Sequence, residues 1–177
     1  MRRSMVVATA LCVIALGVSA QDMAEKSAVV HNTNPKFAPL PGAPDCLTVA
    51  PQHGDLAKGP SVLLLKFETT CVIPWHWHSI NETLFPVAGL LQVTGKGEKP
   101  QVVSGGDYAY MPAKHVHQAK CAGTKPCTVF LQSDGPFDLH YVDKDGNEIT
   151  PDKALAEVNK PVDKPGAKPA AKPAPKP

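Results

Sequence analysis

From Cys46 to about Thr150 the chain alternates short runs of β-branched, aromatic and aliphatic residues with clusters of Gly, Pro, Asp and Asn. The runs are Cys46–Ala50, Ser61–Glu68, Cys71–His78, Thr83–Val87, Leu90–Thr94, Gln101–Val103, Asp107–Met111, His115–Cys121, Cys127–Gln132 and Phe137–Val142. Gly59-Pro60, Gly95-Lys96-Gly97, Gly105-Gly106, Asp134-Gly135-Pro136 and Asp145-Gly146 punctuate them. Period-2 runs bounded by turn formers read as strands, and no stretch here holds a 3.6-residue period of useful length. About ten short strands at this spacing predict an all-β sandwich or barrel over residues 45–150.

The two ends have other patterns. Arg2 and Arg3 precede an apolar run from Met5 to Val18 broken only by Thr9 and Gly17, and Val18-Ser19-Ala20 follows. A basic start, a short apolar core and small residues make a signal peptide cut after Ala20. The run falls short of the roughly 20 apolar residues that a spanning helix needs. No second such segment exists, so the expectation is an exported protein, periplasmic or extracellular, without a membrane span. Residues 21–44 are polar and then proline-punctuated (Pro35, Pro39, Pro41, Pro44), which predicts an irregular arm. Beyond 150, Lys153–Asn159 has the makings of a helical turn or two. Pro161, Pro165, Pro169, Pro173, Pro175 and Pro177 then interleave with Lys and Ala, a composition that predicts an extended, disordered tail over residues 151–177.

Charge follows the same division. The formal net charge is +2, yet residues 21–150 carry 10 Lys against 13 acids and residues 151–177 carry 6 Lys against 3 acids. The folded part is slightly acidic, which excludes a nucleic-acid footprint. The basic tail reads as a solubilising segment, with a tether to an acidic cell-envelope polymer as the alternative.

Four cysteines remain once Cys12 leaves with the signal peptide: Cys46, Cys71, Cys121 and Cys127. An even number in an oxidising compartment predicts two disulfides. Cys121 and Cys127 flank a turn between two strand-like runs, where the sulfurs can meet across a hairpin. That leaves Cys46 with Cys71 by elimination. Metal thiolates are the alternative, but no CxxC pair occurs.

The chemistry concentrates in two stretches. In Pro74-Trp75-His76-Trp77-His78-Ser79-Ile80-Asn81-Glu82, His76 and His78 share a strand face with Cα atoms roughly 6.6 Å apart. Glu82 can add a carboxylate from the start of the next strand. Gly106-Asp107-Tyr108-Ala109-Tyr110-Met111-Pro112-Ala113-Lys114-His115-Val116-His117 then presents a second histidine pair after a proline turn. Imidazole with carboxylate suits Mn, Fe, Co, Ni, Cu or Zn far better than Ca or Mg. By alternation Trp75 and Trp77 face away from the histidines, for packing or a dimer interface. Phe85, Tyr108 and Tyr110 are candidates for the core or for the lining of a cavity. His140 is a poor candidate ligand.

These two stretches closely resemble the paired motifs of the cupin superfamily. The first motif runs Gly, five residues, HxH, three or four residues, Glu, six residues, Gly, and His76, His78, Glu82 and Gly89 match it with Thr70 at the leading glycine. The second runs Gly, five residues, Pro-x-Gly, two residues, His, three residues, Asn. Gly106, Pro112 and His117 match it, while Lys114 replaces its glycine and Cys121 its asparagine. The resemblance implies a double-stranded β-helix, or jelly-roll barrel, holding one divalent transition metal (Mn, Fe, Ni, Cu or Zn) on His76, His78, Glu82 and His117. Three His and one Glu would leave two of six octahedral positions for substrate. Such sites in the family support dioxygenases, oxalate-type decarboxylases, isomerases and lyases.

The expected function is therefore a metal-dependent oxidoreductase, dioxygenase-like, acting on a small oxygenated molecule, with Glu82 as a base. His115 is either an acid/base or second-shell group beside His117 or a structural histidine. The alternative is a non-enzymatic ligand- or metal-sensing module. Family likeness also implies a homodimer.

Overall fold

The computed structural model describes residues 27–158; the expected signal peptide and the Lys/Pro/Ala stretch from 159 onward lie outside the described residues. Two units divide the chain at Val30/His31, and everything below belongs to the second. Its elements in order are β1 (Ala38–Pro39), β2 (Leu47–Gly54), β3 (Ser61–Phe67), β4 (Val72–Trp77), β5 (Glu82–Ala88), β6 (Leu91–Gly95), β7 (Gln101–Val103), β8 (Ala109–Met111), β9 (His117–Cys121), β10 (Cys127–Ser133), β11 (His140–Tyr141) and the helix α1 (Pro151–Val158). One sheet has the order β1-β2-β3-β10-β5-β8 and the other β11-β4-β9-β6-β7. All pairings between strands are antiparallel. Two such sheets face to face make the expected jelly-roll barrel.

Alternation sorts the side chains. Leu47 and Val49 of β2, Leu63, Leu65 and Phe67 of β3, Leu84 of β5 and Val129 and Leu131 of β10 form one inner face. Ile73, Leu91, Val93 and Ala119 answer from the other sheet. Each such side chain taken fully from water contributes about 1.5–3 kcal/mol, so this interior dominates the stability of the fold. Leu64 breaks the alternation, buried on the outer face beside Pro35 and Phe37 of the arm.

Three expectations are corrected. The arm is not wholly irregular, because Ala38–Pro39 pairs with Val49 and Thr48 as an edge strand, a place where proline costs no ladder bond. Residues 151–158 are not part of a disordered tail: they form a helix that starts at a proline, puts Asp152 in its first turn, and buries Ala154 completely in the core. The disulfide Cys121–Cys127 does not span a hairpin, because β9 and β10 lie in different sheets; it joins the two sheets at a corner. Cys46–Cys71 does the same between the starts of β2 and β4. The backbone bond from Cys121 N–H to the Cys71 carbonyl, 2.9 Å, brings both bridges to one end of the barrel.

Among the described residues, two stand in the left-handed backbone region without being glycine: Thr70 at φ 65° and Lys114 at φ 63°. They are the two motif glycine positions at which this chain carries another residue. The backbone turn is kept and the residue that relieves it is lost. A left-handed L-residue costs roughly 1–2 kcal/mol, partly offset by the greater freedom of glycine in the unfolded chain. Thr70→Gly and Lys114→Gly are each expected to raise stability by about 0.5–1 kcal/mol in urea denaturation, with the β-branched Thr70 giving the larger gain. Loop closure over 25 and 6 residues predicts losses of about 3 kcal/mol for Cys46→Ser with Cys71→Ser and about 2 kcal/mol for Cys121→Ser with Cys127→Ser, measured in the same way.

Candidate metal centre

Strand β4 is bent for its task. Pro74 has no N–H for the ladder, and the register against β9 shifts between Ile73 and His76. The resulting bulge lets both Ile73 and His76 point inward although they stand three positions apart. His76 then pairs directly with His117 across the strands. His78 leaves the end of β4 on the same side as His76, and Glu82 opens β5. Gly89 closes that strand at φ 79°, where a Cβ would lie 2.7 Å from the Pro126 carbonyl oxygen, so no other residue fits.

The structure brings His76, His78 and His117 together, each with one ring nitrogen within 4.8 Å of the others. Glu82 stands beside two of them: Oε2 lies 3.2 Å from His117 Nε2 and Oε1 lies 3.7 Å from His78 Nε2. Two ligands sharing an ion at about 2.1 Å per bond sit roughly 3–4 Å apart, so both carboxylate spacings already suit a common cation. All four side chains are buried, His117 almost completely.

Each imidazole is aimed by its own backbone partner. His76 Nδ1 donates to the Pro74 carbonyl at 2.7 Å, His117 Nδ1 to the His115 carbonyl at 2.9 Å, and His78 Nδ1 to the Asp138 carbonyl. With Nδ1 as the donor, each Nε2 carries a lone pair directed into the interior. His78 Nε2, His117 Nε2 and Glu82 Oε2 have no hydrogen-bond partner. A buried polar atom without a partner costs about 1–3 kcal/mol, more when charged. Three such atoms converging on one point fit an ion as their common partner.

Electrostatics agree. Burial first, and then the neighbouring His117 and His78 rings, hold His76 well below its ordinary value, so it is neutral. Burial opposes ionisation of Glu82, but the two imidazoles beside it outweigh this and keep the carboxyl below its usual range. Burial also opposes protonation of His117, but the Glu82 carboxylate 3.2 Å from its Nε2 outweighs this and raises it above the ordinary value.

The group opens on a cavity of about 40 Å³ lined by Ala43, Leu47, Leu65, Phe67, Ile73, Leu84, Ala119, Leu131 and Leu139. Phe85, Tyr108 and Tyr110 do not line it. Glu82 and Leu84 point inward, so Phe85 and, by its pairing with Thr83, Tyr110 face outward; Tyr108 is also exposed. The His115 ring likewise turns away, to Glu98 at 3.6 Å, and this residue serves His117 through its carbonyl. His140 stacks on Trp77 with ring centroids 3.9 Å apart and is no ligand; Trp75 is half-buried on the same outer face.

Sequence reasoning missed the loop that braces the site. Asp138 accepts from Ser79 N–H at 2.7 Å and holds His140 Nε2 at 3.1 Å, while its carbonyl takes His78. Asp134 accepts from the backbone and side-chain amides of Asn81, whose Oδ1 in turn accepts from Ala113 N–H at 2.9 Å. Lys114 N–H donates to the His78 carbonyl at 2.7 Å. The turns carrying His78, Glu82 and His117 are thus tied to one another. The only signal for this in the chain was the Asp-rich composition of 134–138, which reads equally as a plain turn.

The cupin domain family matches residues 63–132. No curated protein matches the sequence. Among solved structures, the chain resembles the DMSP lyase DddQ from Ruegeria pomeroyi DSS-3, with TM-score 0.54, 16% identity and 64% of each chain covered. It also resembles the polyketide cyclase RemF from Streptomyces resistomycificus, with TM-score 0.56 and 17% identity over 67% of this chain and 87% of that one. A third likeness is to a provisionally assigned acetylacetone dioxygenase from Methylibium petroleiphilum PM1, with TM-score 0.56 and 19% identity over 71% of this chain and 88% of that one. At these identities the likeness is one of fold, and the chain spans just under two thirds of the lyase. The jelly roll, the domain match over residues 63–132 and the two motifs with their histidines gathered at one point support a place in the cupin superfamily.

Proposed function

We propose that this is an exported metal-dependent enzyme, dioxygenase-like, that acts on a small oxygenated molecule. The observation that carries the reading is the convergence of three buried imidazoles with a carboxylate beside two of them, with partnerless ring and carboxylate atoms, at the end of an apolar cavity. His76, His78, Glu82 and His117 would hold one divalent transition metal. Bound there, the ion would supply Lewis acidity and, if redox-active, oxygen activation. The protein's own part is clear. The Pro74, His115 and Asp138 carbonyls fix tautomer and ring direction, the aliphatic walls exclude water, and Glu82 can hold a proton at Oε2. Export is supported by the arginine-led apolar start and by two disulfides.

A sensing or binding module is the second reading, favoured by how deeply the ligands are buried and how small the cavity is. Oxygen uptake by metal-loaded protein across a panel of small oxygenated compounds separates the two. The enzyme reading predicts uptake that falls at least about 100-fold in His76→Ala; metal-replete protein inert across the panel supports the module.

Metal removal gives a further test. Wild-type protein is expected to bind one equivalent of Zn²⁺ or Co²⁺ by calorimetry, and His76→Ala or His117→Ala to lose about 10–100-fold or more in affinity.

The pH dependence has a definite sign. Metal needs neutral imidazoles, and Glu82 raises His117 above its ordinary value, which favours its protonation on acidification. Affinity is therefore full above the raised value of His117 and falls by up to about tenfold per pH unit as the pH drops through it. In Glu82→Gln the decline is expected to begin at lower pH, since the charge that favours protonated His117 is gone. Affinity that is flat with pH in calorimetry would contradict this assignment.

A further inference from the structure

The cavity says more about its occupant than the ligand set does. Its lining holds four polar residues, His76, His78, Glu82 and His117, and all four belong to the proposed metal centre. The remaining nine are Ala, Leu, Ile or Phe. No Lys, Arg, Ser, Thr, Asn or Gln is among the lining residues, so a substrate has nothing to bond to at its far end. The volume, about 40 Å³, is that of only about three water-sized probe positions, against roughly 300–1,000 Å³ for pockets that take drug-sized ligands.

We propose, resting on the metal-centre reading above, that the site selects a compact ligand with one polar end. Its class is a monoanion or neutral oxygen donor of no more than about five non-hydrogen atoms with an apolar body. Charge supports the limit of one. A divalent ion with ionised Glu82 leaves one net positive charge, which a monoanion neutralises. A dianion would bring a second charge into a wall of aliphatic side chains without a partner. Polyols and dicarboxylates of the oxalate type are excluded by chemistry, catechols and flavonols by size. Leu131 sets the limit together with its cross-strand neighbour Leu84. Both are buried, and both line the cavity.

The experiment uses full-length secreted protein loaded with Co²⁺, whose visible spectrum reports a new oxygen ligand without any turnover. The probes are azide, formate, acetate, isovalerate, oxalate and catechol. The expected result is that azide, formate and acetate shift the spectrum and that oxalate, catechol and isovalerate bind at least tenfold more weakly. In Leu131→Ala the acetate-to-isovalerate ratio is expected to narrow at least threefold; Leu131→Val gives the same direction to a smaller degree if the alanine variant does not fold. Oxalate or catechol binding as tightly as acetate overturns the selectivity while leaving the metal centre standing. Failure of wild-type protein to take up Co²⁺, or uptake unaffected by His76→Ala, overturns the metal-centre reading itself.

Discussion

Three hydrogen bonds from imidazole Nδ1 to backbone carbonyls govern this molecule. Pro74, His115 and Asp138 provide the acceptors, and each turns the opposite nitrogen of its histidine toward one interior point. Side-chain acceptors could be lost or could move, whereas carbonyls belong to the backbone of the barrel and its turns. The orientation of the site is thus built into the fold. Two of the three acceptors lie two residues before the histidine they hold, so strand geometry alone sets them. The third comes from 60 residues away and makes the 134–138 loop a structural part of the centre.

That dependence explains why so much of the chain is spent on bracing. The Asn81–Asp134 and Ser79–Asp138 contacts fasten the turn between β4 and β5 to the loop before β11. The bond from Asn81 to Ala113 fastens the same turn to the approach of β9. At the other end of the barrel, two disulfides hold the sheets together. The middle is packed aliphatic side chains, and the site opens into that packing without interrupting it. Such an interior leaves the four gathered side chains little room to move.

The sequence made most of this legible, because its signals are local. Strand runs, turn pairs and HxH spacing depend on neighbours within a few residues, and all ten expected runs contain a strand. What escaped depends on contacts that spacing does not encode. Phe85 and Tyr110 looked by type like core or cavity-lining residues, yet the inward placement of Glu82 and Leu84 turns them out to the surface. His115 looked like a partner for His117 through its ring, but a turn at Lys114 leaves only its carbonyl in that role. Residues 151–158 looked like the start of a tail because prolines and lysines follow. Ala154, a small residue that fits flush against β-strands, was the weak sign that they dock. Thr70 and Lys114 reverse the usual lesson: the motifs lost two of their glycines, and the backbone kept the left-handed conformation there at φ 65° and 63°.

The central claim is that one cation sits where the three Nε2 atoms and the Glu82 carboxylate meet. Anomalous diffraction from crystals of Co²⁺- or Zn²⁺-loaded protein locates that ion directly. The account predicts a single strong peak about 2.1 Å from His76, His78 and His117 Nε2 and from a Glu82 oxygen. A peak elsewhere, such as among His140, Asp138 and Glu148, with none between the three histidines, would contradict it.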